Sequence, residues 1–429
     1  MHTTGGPSRT TSTLTSVDPA HGVVLGTVPV LGPAEVRERV ERAREAQARW
    51  WAWGPRRRRR ALLDVCHLLV ERADSLAELV HRETGKPLGD AWSGECLPSC
   101  EHVAYAARRA HRVLRRRRVA TGILVTRRAW VEYEPYGVVA AITPWNYPLL
   151  IPASVVAGAL AAGNAVVLKP SEATPLVGLE LVRCVRDATG LDGLVECATG
   201  DGRTGAALVA SGVDKVVVVG GVETGRRVMA AAAAAPGGPV PVTLELGGAD
   251  AMIVCADADL ERAARGAVWG AFYNAGQTCQ GVERVYVEAP AYDAFVAAVV
   301  AEARRVTTGG EPEAWIGPLV TAAQLEKVEA QLEDARARGA RVLLGGRRAL
   351  PGSRFYAPTV VVDVPEDAPL WCEETFGPVL PIAKVPNAEE AVRRVNGSAL
   401  GLSASVWTRD RARARRLAAA LRVGSVLVN

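Results

Sequence analysis

The alternation of short apolar runs and helical segments between residues 137 and 235 limits this chain more than any other feature. Val138 to Ile142, Ala165 to Lys169, Val195 to Ala198 and Lys215 to Val219 read as strands. Helical patterns follow them at Ile151 to Ala162, Leu176 to Thr189, Thr204 to Ser211 and Thr224 to Ala235. Strands spaced by helices of this length demand a parallel sheet, because parallel neighbours need a long crossover. Val216-Val217-Val218-Val219 reads as a strand apolar on both faces, as such a sheet requires. The alternation resumes after Gly247-Gly248 with a strand at Ala251 to Val254, a helix at Leu260 to Phe272, a strand at Arg284 to Val287 and a helix at Tyr292 to Val306. The expected fold class is α/β, with two doubly wound parallel-sheet lobes meeting near residues 245 to 250.

The chain before residue 137 reads differently. Residues 1 to 16 are rich in Ser, Thr and Gly without an apolar segment, which predicts a disordered leader and no secretory signal. Pro33 opens a helix with Val36, Val40, Ala43 and Trp50 on one face. A second helix carries Leu62, Cys66, Leu69, Ala73, Leu76 and Val80, and stops at Gly85-Lys86-Pro87. A third spans about Ala91 to Arg116, and the alternation over Gly122 to Glu134 predicts a β-hairpin. At the other end, Ser425-Val426-Leu427-Val428-Asn429 reads as a buried strand with no polar tail.

Composition matters mainly for what it excludes. With 429 residues, 49% of them apolar, the chain can bury ample core in two domains. The basic runs Arg56 to Arg60 and Arg115 to Arg118 have few interleaved aromatics, so they read as solvated helix starts and no nucleic-acid partner is expected. Prolines 144, 148 and 152 interrupt the longest apolar region, which excludes a membrane span there. Eight scattered cysteines without a signal peptide read as reduced thiols of a cytoplasmic protein. Cys96, Cys100 and His102 lack the second Cys/His pair of a zinc site, and core packing is expected of them.

One cysteine stands apart. Cys279 follows Gly276-Gln277-Thr278 at the end of a helical run, where the glycine lets the backbone turn its thiol and its own N–H toward one space. A small buried hydrophobe is the plainer role for a lone cysteine. Glu245 lies among apolar neighbours at a strand end before two glycines, where burial would raise its pKa and poise it as a base. All six histidines precede residue 112, so a carboxylate is the better base for Cys279. Asn146, in Pro144-Trp145-Asn146, follows a strand and could donate to an oxyanion, or simply sit in a turn. Gly220-Gly221 and Gly225 join a strand to a helix and could bring amides to a pyrophosphate. Lys169 and Glu172 could hold an adenosine ribose, Glu172 repelling a 2′-phosphate and favouring NAD over NADP, or could form a surface ion pair. Glu374 and Phe376 lie at a turn.

Pro-Trp-Asn at 144, Lys-Pro-Ser-Glu at 169, Glu-Leu-Gly-Gly at 245, Gly-Gln-x-Cys at 276 and Glu-Glu-x-Phe-Gly-Pro at 373 occur in this order, and together the chain resembles the aldehyde dehydrogenase superfamily of NAD(P)-dependent enzymes from about Val17 to Asn429. The resemblance implies that Cys279 is the nucleophile, Glu245 the base for a deacylating water and Asn146 an oxyanion donor. It implies a nicotinamide dinucleotide, read as NAD in preference to NADP on the charge of Glu172, held by Trp145, Lys169, Ser171, Glu172, Gly220, Gly221, Gly225, Glu374 and Phe376. No metal is implied. The reaction implied is oxidation of a small aldehyde to its acid through a thiohemiacetal and a thioester.

The same resemblance divides the chain. Residues 17–118 and 137–247 would form the NAD-binding domain, 119–136 a protruding hairpin for oligomerisation, and 248–429 the catalytic domain. It also implies further chain beyond Asn429, including a strand that pairs with a neighbouring subunit, so a homo-oligomer is expected where that strand is present. Gly221 stands where the family usually has Ser, and Ala249-Asp250-Ala251 where it usually has Lys-x-Pro. Two other readings stand beside this one. The first is a truncated, inactive nucleotide-binding α/β protein; the second is a CoA-acylating semialdehyde dehydrogenase, which would not need Glu245.

Overall fold

The computed structural model describes residues 12–311 and 313–429. β1 (Thr13–Val17) and β2 (Val24–Pro29) form an antiparallel pair. The expected leader is therefore corrected at its end: residues 13 to 16 are strand, while 1–11 lie outside the described residues. The pair is anchored through Ser16, whose Oγ donates to buried Glu83 at 2.6 Å. A Ser/Thr-rich stretch pairs here because its one inward side chain finds a buried acceptor, which local pattern does not reveal.

The first predicted helix is Pro33–Ala52. The second is two helices, Gly54–Glu71 and Ala73–Thr84, broken at Arg72. Arg72 turns there to meet Asp187 at 2.8 Å and Glu180 at 3.3 Å on the helix Pro175–Thr189. The third opens as Leu88–Ala91, widens into a π-turn at Trp92–Cys96, and continues as Leu97–Val113. Such turns re-aim side chains and occur often at functional sites; this one carries Glu95.

β3 (Arg117–Val119) and β4 (Ala129–Val131) form a short antiparallel ladder. Ile123 and Val125, read as strand positions, instead lie in its connecting loop and are 95% and 86% exposed. The central sheet that follows is wholly parallel. It contains β5 (Val138–Ile142), β6 (Ala165–Lys169), β7 (Val195–Cys197), β8 (Lys215–Gly220) and β9 (Val242–Leu246), in the order β7-β6-β5-β8-β9. β5 and β6 are buried along their whole length, covered by helices on both faces. β8 departs from its expected burial: Val216 and Val218 are buried, but Val217 and Val219 are not, and Val219 faces a cavity.

A second sheet takes β10 (Asp250–Val254), β11 (Val282–Glu288), β12 (Arg341–Leu344), β13 (Thr359–Val362), β14 (Val379–Val385), β15 (Ser403–Trp407) and β16 (Ser425–Val428). Their order is β12-β13-β14-β11-β10-β15-β16, and every pairing but β12 with β13 is parallel. The expectation that β16 is buried is corrected: it is an edge strand, with Leu427 60% exposed. Among the described residues no helix is long and apolar enough to cross a membrane.

Candidate active site

The strand order creates the site. β5 continues to β6 on one side and β8 continues to β9 on the other, so the loops after β5 and β8 diverge. A crevice must open at their carboxyl ends, where open α/β sheets take ligands. The cavity found there has a volume of about 600 Å³ and runs from Lys169 to Cys279.

The helix Leu260–Phe272 delivers the cysteine loop. Asn274, Ala275 and Gly276 then adopt left-handed φ values of 53°, 54° and 73°. Only the glycine does so without steric cost, so the two residues before it need outside support. Gln277 supplies it: its Nε2 donates to Asn274 O at 3.0 Å, and its Oε1 accepts from Val320 N at 2.9 Å. Asn274 Nδ2 reaches Asn146 O at 3.2 Å and Gln277 O at 3.1 Å. A Cβ on Gly276 would lie 2.2 Å from Gly377 O, so this loop rests directly on the turn that holds Glu374 and Phe376.

Cys279 is half-buried at the end of this loop and borders the cavity. Burial pushes its thiol pKa up, and the charges of Asp250 and Glu374 push it further. The resting sulfur is thus held protonated more firmly than a free thiol. Glu245 borders the same cavity, but the expectation of its burial is corrected: its side chain is exposed. The reason is the cavity itself: Glu245 and its register partner Val219 on β8 both border that open space.

Asn146 is buried at 3% exposure on the cavity wall. Its Nδ2 donates to Gln277 O at 3.0 Å, which uses one of the two amide hydrogens. Behind it lies a buried ion pair with no counterpart among the residues expected from the sequence. Lys86 Nζ donates to Glu95 Oε1 at 2.6 Å and to Asn146 O at 2.8 Å. Glu95 Oε2 accepts from Leu149 N at 3.0 Å and Leu150 N at 2.9 Å, closing the amide end of the helix Leu150–Ala161. Lys86 also lies 4.3 Å from the centre of the Tyr147 ring, and Tyr147 Oη bonds Thr278 Oγ1 at 2.9 Å.

At the far end, Lys169 Nζ donates to Pro170 O at 2.8 Å and Gly200 O at 3.0 Å. It stays 3.7 Å from the carboxylate of Glu172. Burial lowers the Lys169 pKa, and Glu172 opposes that. Ser171 borders the cavity and accepts from Ala173 N at 3.3 Å. Gly220 and Gly221 form part of the floor, and a Cβ on either would meet nothing within 4 Å. Gly225 is corrected: it packs against Leu246, 2.5 Å from where its Cβ would be, and does not line the cavity. It serves helix-to-strand contact.

Glu374 and Phe376 hang over the cavity between these ends. Glu374 packs on the bare Cα of Gly247, and its Oε1 is buried without a partner. Burial raises its pKa; Lys327 and the Gly248 N–H act the other way. Phe376 stands edge-on to Trp145, ring centres 5.5 Å apart. The turn is fixed by buried Glu283, which accepts from Thr375 N at 2.6 Å and Phe376 N at 2.9 Å, and by Gln324, which donates to Thr375 O at 2.8 Å. Asp250, one of the residues that depart from the expected motif, accepts from Ser403 N at 2.8 Å and so joins β10 to β15. Burial raises its carboxyl to about 6.

Lys86, Glu95, Asn274, Gln277, Glu283 and Gln324 were not singled out by sequence reasoning. Gln277 lies within the cysteine window and Lys86 within the helix stop, but polar residues there carry no local mark of burial.

Residues 7–429 match the model of the aldehyde dehydrogenase family. The chain is 39% identical over 420 residues to a 4,4'-diapolycopene aldehyde oxidase of Methylomonas sp, covering 97% of this chain and 78% of that protein. Among solved structures, an NADP-dependent enzyme of E. coli superposes with a TM-score of 0.94 at 35% identity, over 97% of this chain and 86% of the other. An NAD-dependent aldehyde dehydrogenase of Sinorhizobium meliloti gives 0.93 at 36% identity, over 97% and 83%.

Proposed function

The chain belongs to the aldehyde dehydrogenase family, and on that premise we propose that it oxidises a small aldehyde to its carboxylate with NAD, using Cys279 as the nucleophile. The observation that carries this is the convergence of Cys279, Glu245 and Asn146, from three separate segments, on one cavity that also reaches Lys169 and Glu374.

The residues present fit a nicotinamide dinucleotide. The unpartnered Oε1 of Glu374 offers an acceptor to a ribose hydroxyl, and Phe376 with Trp145 offers flat apolar surface beside it. Gly220 and Gly221 leave open space for a pyrophosphate, while Lys169 and Glu172 stand where a second ribose would lie. The choice of NAD rests on Glu172, whose side chain is 55% exposed at that end and would repel a 2′-phosphate.

Cys279 forms a bond from sulfur to the aldehyde carbon once its proton has left. The carbonyl oxygen takes up the electron pair and is held by the second amide hydrogen of Asn146 and by the Cys279 N–H. A bound nicotinamide, held by Glu374 and Phe376, would supply the hydride acceptor for that carbon. The thioester left on Cys279 is attacked by a water whose proton passes to Glu245, and the thiolate departs as the acid forms. Exposure of Glu245 gives it direct access to solvent for returning that proton.

The test is NADH production from NAD and a panel of aldehydes. Activity should vanish in Cys279→Ala, and Glu245→Gln should give one burst of NADH with the acyl group retained on Cys279. Folded protein that makes no NADH with any aldehyde would overturn the proposal. Turnover only with CoA would replace water by a thiol as acceptor.

A further inference from the structure

The two basic runs, Arg56 to Arg60 and Arg115 to Arg118, do not take part in the cleft just described. The structure brings them together at a second cavity of about 290 Å³. It lies between the start of the helix Gly54–Glu71 and the end of Leu97–Val113, with Ala161, Ala162 and Tyr133 also in its lining. Arg58, Arg59, Arg115 and His111 are among its lining, and among the described residues no carboxylate lines any of it.

Arg58 is the telling residue. It is only 5% exposed, yet its Nε is buried without a partner. Its Nη1 donates to Trp51 O at 3.1 Å, and the guanidinium carbon stands 4.5 Å from the centre of the Trp51 ring. Burial lowers its pKa with no neighbouring charge acting against that. A buried cation with no neighbouring carboxylate is costly, and its unpartnered Nε donor is the kind of group that an anion would satisfy. The helix adds to this: its first turn holds no acidic residue and carries arginines at its positive end, an arrangement that an anion would relieve. Trp51 is itself held in place, because a Cβ on Gly163 would lie 2.5 Å from its Cε3 and Gly163 has φ 95°.

The rest of the wall is apolar, formed by Leu62, Ala107, Leu114 and the Trp51 ring. The volume exceeds what a bare oxyanion fills and falls near the lower end of small-molecule sites. We propose that this cavity is a binding site for an organic phosphate monoester with a flat apolar body, the phosphate meeting Arg58, Arg59 and Arg115 and the body resting on Trp51 and Leu114. A phosphate is favoured over a carboxylate because three arginines lining one cavity can supply donors to a dianion with three terminal oxygens. The site is separate from the dinucleotide cleft, and the proposal does not rest on the reading of that cleft.

The test is calorimetric titration of the whole chain with phenyl phosphate, and in parallel with inorganic phosphate and benzoate. Phenyl phosphate should bind one to one, about 10-fold or more tighter than either fragment. Arg59→Glu combined with Arg115→Glu should weaken it by at least about 10-fold, since both side chains face the ligand with opposite charge. Arg58→Gln should do the same where it folds; the surface pair decides the matter where it does not. Trp51→Ala should weaken phenyl phosphate while leaving inorganic phosphate unchanged. No binding of phenyl phosphate, equal binding of benzoate, or affinity unaltered by the Arg59/Arg115 reversal would each overturn the proposal.

Discussion

The side-chain amide of Asn146 donates to the backbone carbonyl of Gln277 at 3.0 Å, and so couples the turn after β5 to the loop that holds Cys279. One group thus has two tasks, since its other amide hydrogen is left for the cavity. Asn146→Ala removes both at once. Loss of an oxyanion donor costs roughly 100- to 1000-fold in kcat. The structural bond is partly replaceable, because Asn274 Nδ2 also reaches Gln277 O. Asn146→Ala should therefore lower kcat by about that factor while costing only about 1 kcal/mol of stability. Steady-state kinetics beside urea denaturation checks this, and an unfolded variant would show that the loop depends on the bond.

The Lys86–Glu95 pair supports the same turn from behind. Removing one partner of a buried pair leaves a bare charge, so Lys86→Met should destabilise the chain by about 3–5 kcal/mol. Glu95→Leu alone strands Lys86 and the Leu149 and Leu150 amides together. The double variant restores charge balance but still leaves those amides orphaned, at about 1–3 kcal/mol each. The two single costs should consequently exceed the cost of the double, as measured by denaturant midpoints in a mutant cycle.

These residues show where sequence reasoning stops. β5, β6 and β10 were legible because strands covered on both faces become unbroken apolar runs. The loops at their carboxyl ends followed from the parallel order. The apolar neighbours of Glu245 suggest burial, but its exposure depends on the cavity that it and Val219 border, which strand order across the chain creates. Gly225 looked like its neighbours Gly220 and Gly221 until Leu246 was seen to occupy the space above it. Lys86 lies in a helix stop and Glu95 in a helical stretch, where polar residues suit a solvated surface equally well. The break at Arg72 depends on carboxylates more than a hundred residues away.

The environment of Cys279 makes its reactivity depend on pH in a stated direction. Burial, Asp250 and Glu374 all raise its pKa, so alkylation by iodoacetamide should gain speed at higher pH than for an exposed thiol. Asp250→Asn takes away one negative neighbour and keeps an acceptor for Ser403 N. The midpoint of the alkylation profile should move down. A midpoint that stays put would show that Asp250 does not act on the thiol, leaving burial and Glu374 to set it.

Glu83 gives a stability signature. Its carboxyl is raised to about 7 by burial, against hydrogen bonds from Ser16, Val177 and Leu176 that favour the charge. The folded state therefore binds a proton more tightly than the unfolded chain does. The stability this contributes is fully present below the ordinary carboxyl range and is lost as pH rises through about 7. Glu83→Gln stays neutral throughout. The stability of the wild type minus that of the variant should fall as pH rises from about 4.5 to about 7 and level off above that, read from urea midpoints at each pH.

Two glycines with different surroundings test how tightly the halves of the site are joined. Gly221 has φ −68° and empty space where a Cβ would go, so Gly221→Ser should change stability by less than about 0.5 kcal/mol. Gly276 has φ 73°, and its Cβ would stand 2.2 Å from Gly377 O and 2.9 Å from Pro378 N. Those are backbone atoms, which cannot turn aside as a side chain can. Gly276→Ala should cost about 1–2 kcal/mol for the left-handed residue and about 1–3 kcal/mol for the collision. To relieve that collision the cysteine loop or the Glu374–Phe376 turn must shift. Activity should then fall even at temperatures where the variant is fully folded, because a shift of about 1 Å at a reacting group can cost about 100-fold. A Gly276→Ala protein with wild-type denaturation and kinetics would mean that the two loops are free to separate, and that the contact between them does not hold Cys279 in place.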